Sequence, residues 1–189
     1  MNTVLQAIEN RRSIRSYEPG PIPRETLLTV INAGNQAPSA MNTQPWRFVV
    51  VENQGFRKKL LETAIPNSKK MVETLKDHFP QRYRFIMKRY DELADPIYYG
   101  APVIIFVIGS GPSAPDSCPL ACENMMLAAH SLGLGSCWVK FGSLIMDNPE
   151  ITKELELKPE ETIFGPIILG YSSGQPKPPV KREPSIKWI

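Results

Sequence analysis

Residues 101–139, APVIIFVIGSGPSAPDSCPLACENMMLAAHSLGLGSCWV, hold three elements in succession and decide the fold class. Pro102–Ile108 is apolar on both faces without alternation, which predicts a strand buried on both sides. SGPSAPD is rich in turn-forming residues and reads as a loop. Ser117 and Pro119 open a long helix to about residue 132, and Gly133 ends it. Leu134–Lys140 reads as the next strand. Taken with the elements on either side of them, strand, helix and strand predict a single α+β domain.

Working outward, Thr3-x-x-Gln6 has capping-box form, and Val4, Leu5 and Ile8 follow at helical spacing, which predicts a helix over 3–10. Pro19, Pro21 and Pro23 break the chain before a second helix over 24–36, with Leu27, Leu28, Ile31 and Gly34 on one face. The loop APSAMNTQPW leads into a strand over 47–52. Residues 55–95 read as helices broken near Pro66 and Pro80. Asn148-Pro149-Glu150 starts a short helix, and Thr162–Leu169 is the last strand. A proline-rich tail follows, without a core of its own.

At 189 residues the chain suits a single domain spanning 1–189. It is 42% hydrophobic and 22% charged, which excludes a disordered chain. Its longest apolar run, Ala101 to Ile108, is far short of the ~20 residues that cross a bilayer, so no membrane association is expected. Three cysteines make no disulfide framework, and the N-terminus has no signal-peptide pattern, so a cytoplasmic protein is expected. The net charge of +3 is too small to argue for nucleic acid, but it is uneven. Residues 56–92 carry ten Lys/Arg against five Asp/Glu, and residues 171–189 four against one.

Four stretches can carry chemistry. Arg11, Arg12, Ser13 and Arg15 gather three guanidinium groups and a hydroxyl just past a helix end, a set suited to phosphate or a planar anionic edge. Their like charges repel, and an anionic ligand relieves that repulsion. Pro38, Ser39, Asn42 and Gln44 precede Trp46 in a loop whose amides suit the edge of a heteroaromatic ring. Gly133 and Gly135, before Ser136 and Cys137, let backbone approach a ligand, although their spacing is not that of a dinucleotide fingerprint. Lys181 and Arg182 in the tail can complete a phosphate clamp. A solvated basic turn and a self-satisfied loop are the plain readings of the first two stretches. Cys118 and Cys122 share a helix face but have too few companions for a metal site, so no metal is expected.

Taken in order, RRSIRSY, APSAMNTQPWRFVVV, APVIIFV, ACENMMLAAHSLGLGSCWV and GPIILGY with its basic tail resemble the flavin-dependent nitroreductase family over nearly the whole chain. The resemblance implies a mixed central sheet flanked by helices. It implies an intertwined homodimer with FMN at the subunit interface. By position, Arg11 and Ser13 hold the FMN phosphate with Lys181 or Arg182, and Arg12 follows the ribityl and phosphate side. Arg15 faces the pyrimidine edge, where a fixed cation favours reduction. Pro38, Ser39, Asn42 and Gln44 come partly from the second subunit, and Gly135, Ser136 and Cys137 meet the ring near N5. The implied chemistry is ping-pong: hydride from NADH or NADPH to flavin N5, then to a nitroaromatic, quinone or similar small-molecule acceptor, with no catalytic side chain named.

The segment over about 56–98 is the variable helical cap of such proteins, and 172–189 an extended arm. Aromatic residues Phe79, Tyr83, Phe85, Tyr90, Tyr98 and Tyr99 divide there between core and substrate lid, and Asn67 and Lys70 are further candidates for flavin contact. Two alternatives stay open: a flavin reductase, dehydrogenase or dehalogenase on the same fold, and a nucleic-acid-binding protein using the basic 56–92 helices.

Overall fold

A computed structural model describes residues 2–174 and 176–189. Asn2 caps helix α1 (Thr3–Asn10) by accepting the Val4 N–H at 2.8 Å, so the cap lies one residue before the Thr3 expected from the sequence. Helix α2 spans Arg24–Asn35, and strand β1 spans Trp46–Val51. Helix α3 (Gln54–Glu73) runs unbroken through Pro66, where a break is expected. Leu60, Ala64, Ser68 and Val72 form one buried ridge on both sides of that proline, and their burial outweighs the ~3 kcal/mol that an interior proline costs. The break falls later, and Pro80 occupies the first turn of α4 (Pro80–Glu92).

Strand β2 (Val103–Gly109) is buried at every position. Helix α5 begins at Ala114, earlier than Ser117, because Pro115 suits the first turn and Asp116 faces the helix dipole. Strand β3 covers only Gly135–Trp138 before the chain turns. After α6 (Pro149–Glu154), the single strand expected over 162–169 divides into β4 (Thr162–Ile163) and β5 (Ile167–Gly170). The cause is visible at Val107, whose carbonyl accepts N–H groups from both Phe164 and Gly165, so the chain bulges between the two strands.

The sheet order is β1-β2-β5-β3, with β4 also on β2. Each of these pairings is antiparallel. The parallel part of the expected mixed sheet is one bridge, between Ser13 and Ser136. Alternate residues of β2 feed two cores. Val103, Ile105 and Val107 pack under α2 and α5, while Ile104, Phe106 and Ile108 pack against α3, α6 and Tyr98. None of the described helices is long and apolar enough to cross a membrane. Val4, Leu5 and Ile8 on α1, Leu120 on α5 and Trp188 in the tail stay exposed. Among its described residues the tail has no strand or helix.

Candidate active site

The arginine segment is laid against the edge of the sheet. Ile14 donates its N–H to the Ser136 carbonyl (2.9 Å), and Glu18 donates to Tyr171 (2.8 Å). Between them the Tyr17 hydroxyl donates to the Ile14 carbonyl at 2.7 Å. Glycines make this approach possible. A Cβ on Gly135 would lie 2.7 Å from Ile14 Cγ2, and one on Gly170 2.6 Å from the Tyr17 ring. The open side of Gly135 is therefore filled by Ile14, a β-branched residue with little freedom to move. Gly133, at φ +77°, ends α5. Gly135→Ala is expected to cost about 1–3 kcal/mol and to displace Ser13 and Arg15 with Ile14. A melting curve and a flavin titration on that variant check both effects.

Arg11, Arg12, Ser13 and Arg15 are thus brought together with Gly135, Ser136 and Cys137. Arg11 lies 3.4 Å from Glu123, yet its buried Nε has no hydrogen-bond partner among the described residues. Arg12 is held by the carbonyls of Glu9 and Arg11. Ser136 is 1% exposed, and its Oγ also lacks a partner. A cavity of about 410 Å³ opens here, lined by Arg12, Ile14, Gly135, Ser136, Ser172 and Pro176. Unsatisfied buried donors beside these guanidinium groups suit a phosphate-bearing ligand.

On the other face of β3, burial pushes the Cys137 thiol above its ordinary pKa, while Arg15, Ser13, Arg11 and Arg89 oppose that shift. The Tyr17 hydroxyl is raised too, chiefly by burial. Arg89 is the functional candidate that the sequence hides, because it is one of ten cations in the 56–92 segment. Its guanidinium lies 5.1 Å from the Tyr99 ring centre, and that of Arg15 lies 5.8 Å from the same ring. Tyr98 is core, with its hydroxyl donating to the Gly142 carbonyl; Tyr90 and Tyr99 pack on the same cluster, whereas Phe79 and Phe85 are exposed.

The amide loop lies elsewhere. Trp46 pairs with Gly109 at the end of β2, whereas Gly135 pairs with Gly170 beside the start of β2. Pro38, Ser39, Asn42 and Gln44 therefore sit at the corner of the sheet diagonally opposite the arginines, ~19 Å across the strands and ~20 Å along them. Ser39 Oγ accepts the Gln44 N–H at 3.0 Å, so its hydroxyl serves its own loop. Met41, Asn42 and Gln44 all have positive φ, and Met41 is 94% exposed. Lys181 and Arg182 lie exposed in the tail and make no hydrogen bond or ion pair with other described residues. Asn67 donates to the Leu144 carbonyl and to Asp147, a contact between elements. Cys118 and Cys122 are buried thiols, raised by burial to about 11 and about 12. Four of the ten cations of 56–92 are paired: Lys58 with Glu62, Lys59 with Glu150, Lys76 with Glu73 and Lys88 with Glu92.

The profile of the nitroreductase family matches residues 8–171. The chain belongs to the nitroreductase family. A Methanothermobacter thermautotrophicus protein with a provisional NADH dehydrogenase/NAD(P)H nitroreductase name is 33% identical, over 92% of this chain and 79% of that one. An iodotyrosine deiodinase from Thermotoga neapolitana is 27% identical, over 72% and 73%. Among solved structures, an FMN-bound nitroreductase from Desulfitobacterium hafniense superposes with a TM-score of 0.83 at 26% identity, covering 100% of this chain and 99% of that one. These nitroreductase relatives span the arginine segment, the sheet and the cap, so the site above lies within the family fold.

Proposed function

We propose that this nitroreductase-family protein is an FMN-dependent oxidoreductase that takes electrons from NADH or NADPH and passes them to a nitroaromatic, quinone or similar acceptor in a ping-pong cycle. The observation that carries this reading is the cluster of Arg11, Arg12 and Arg15 with Ser13, laid on β3 beside unpartnered buried donors. Such a set fits a phosphate at Arg11, Arg12 and Ser13, and a ring whose pyrimidine edge faces Arg15. When bound, FMN supplies two-electron chemistry at N5. The chain's own part is to bind and orient: Arg11 and Ser13 grip, Arg15 sets a fixed positive field, and Tyr99 gives an aromatic wall. A flavin reductase or dehalogenase uses the same parts, and the deiodinase relative supports keeping that second reading.

The functional unit we infer is a homodimer. The loop carrying Ser39, Asn42 and Gln44 lies too far from Arg15 for both to serve one flavin within a single chain, so a second copy supplies one of them. Apolar side chains left exposed on α1, α5 and the tail give that copy a surface, and Lys181 and Arg182 reach its phosphate site.

Purified protein is expected to be yellow, or to become so with added FMN, and to bleach with NADH or NADPH under anaerobic conditions. Colourless protein that ignores FMN yet binds nucleic acid with a steep salt dependence overturns the reading. Removing the tail before Lys181 is expected to weaken FMN binding about tenfold, the loss of one charge-assisted contact, and to loosen the dimer. Titration and sedimentation read those two effects.

A further inference from the structure

We propose that Arg89, with Phe85 and Tyr99, forms an acceptor site that selects aromatic electron acceptors bearing a carboxylate. This inference rests on the oxidoreductase reading above. Helix α4 carries Phe85 and Arg89 one turn apart, hence on the same face. The Arg89 guanidinium lies 5.8 Å from the Phe85 ring centre and 5.1 Å from that of Tyr99, so two rings fix its direction. Its neighbour Lys88 pairs with Glu92. Arg89 itself has no carboxylate within 4.0 Å among the described residues, and neither has Arg15. Two like charges therefore meet at one ring without a counterion, an arrangement that an anion stabilises.

Tyr99 is held there against its backbone preference. Its φ is +57°, which is rare for an aromatic residue, and Gly100 follows at +67°. The turn is pinned by the Asp95 carboxylate, which accepts the N–H groups of Ile97, Tyr98 and Gly100 at 3.1, 2.7 and 2.9 Å. Strain kept in place by three hydrogen bonds holds the Tyr99 ring within 6 Å of both guanidinium groups. If Arg15 is taken by the flavin's pyrimidine edge, the planar fork of Arg89 remains for a second anion. Phe85, 63% exposed, and Tyr99 offer ring faces to the apolar part of that ligand.

The test uses the FMN-loaded protein with benzoate and benzamide as unreactive probes, and 4-nitrobenzoate and its methyl ester as acceptors. Benzoate is expected to perturb the flavin spectrum of the wild type at concentrations at least tenfold below benzamide. Arg89→Met is expected to erase that preference and to lower the kcat/KM ratio of acid over ester at least tenfold, and Arg89→Lys to restore part of both. Equal losses for acid and ester, or a wild type without preference for benzoate, overturn the acceptor site while leaving the oxidoreductase reading intact. A fall in FMN affinity in Arg89→Met, with the benzoate preference kept, assigns Arg89 to the cofactor and overturns it as well. Failure of the wild type to bind FMN removes the reading on which it rests.

Discussion

Arg15→Ala is expected to keep the fold, weaken FMN binding about 10–100-fold and slow reduction by NAD(P)H. Arg15 is exposed and lies 5.8 Å from the Tyr99 ring centre, so removing it leaves no buried cavity. What it supplies is a fixed cation. A hydrogen bond to a charged group contributes about 1.5–3 kcal/mol, which sets the range of the affinity loss. Two-electron reduction places negative charge at the pyrimidine edge, so the cation matters more to the reduced form than to the oxidised one. If about 1.4 kcal/mol of its effect is confined to the reduced form, the midpoint potential falls by about 30 mV. Arg15→Lys keeps the charge without the planar fork and is expected to fall between the two. Titration, anaerobic stopped flow and a redox titration read the three quantities. Unchanged affinity, rate and potential in Arg15→Ala would remove the role assigned here.

The largest effect on stability is expected at Arg47, far from that cluster. From β1 it donates Nε to Glu161 Oε1 at 2.8 Å and Nη2 to Oε2 at 2.7 Å. Nη2 also reaches the carbonyls of Leu155 and Glu156, tying β1 to the segment between α6 and β4. Glu161 is only 8% exposed, so losing Arg47 leaves a buried carboxylate with the Lys158 N–H as its remaining donor. Arg47→Met is expected to cost about 3 kcal/mol, and the melting temperature to fall by roughly 6–12 °C. A double-mutant cycle with Glu161→Gln is expected to return a coupling well above zero; a coupling near zero contradicts the pairing.

The same pair gives a pH dependence. The Arg47 guanidinium holds Glu161 down at about 2. A carboxylate depressed on folding stabilises the protein above its unfolded pKa of ~4.3, and that contribution is lost as pH falls from there toward 2. Denaturation midpoints across that window are expected to fall less in Arg47→Met than in the wild type.

How much of this was legible in the sequence differs by feature. Helix α2, strand β2 and the end of α5 at Gly133 follow from periodicity and capping, which act over a few residues. The arginine cluster was equally plain, because its members are contiguous. Pro66 misleads: its local penalty is real, but the ridge from Leu60 to Val72 is buried by residues outside the helix and outweighs it. Arg89 was invisible as a site residue, since nothing in the ten cations of 56–92 says which one meets Tyr99.

By itself, then, the sequence determined the element types, the α+β class, the family and the clustering of cations at residues 11–15. The tertiary structure alone decided that β5 lies between β2 and β3, which puts the amide loop and the arginines at opposite corners. It also decided that Ile14, rather than a ligand, fills the space at Gly135. Periodicity and capping are short-range terms, whereas strand order and the approach of both Arg15 and Arg89 to Tyr99 are set by contacts between residues far apart in the chain.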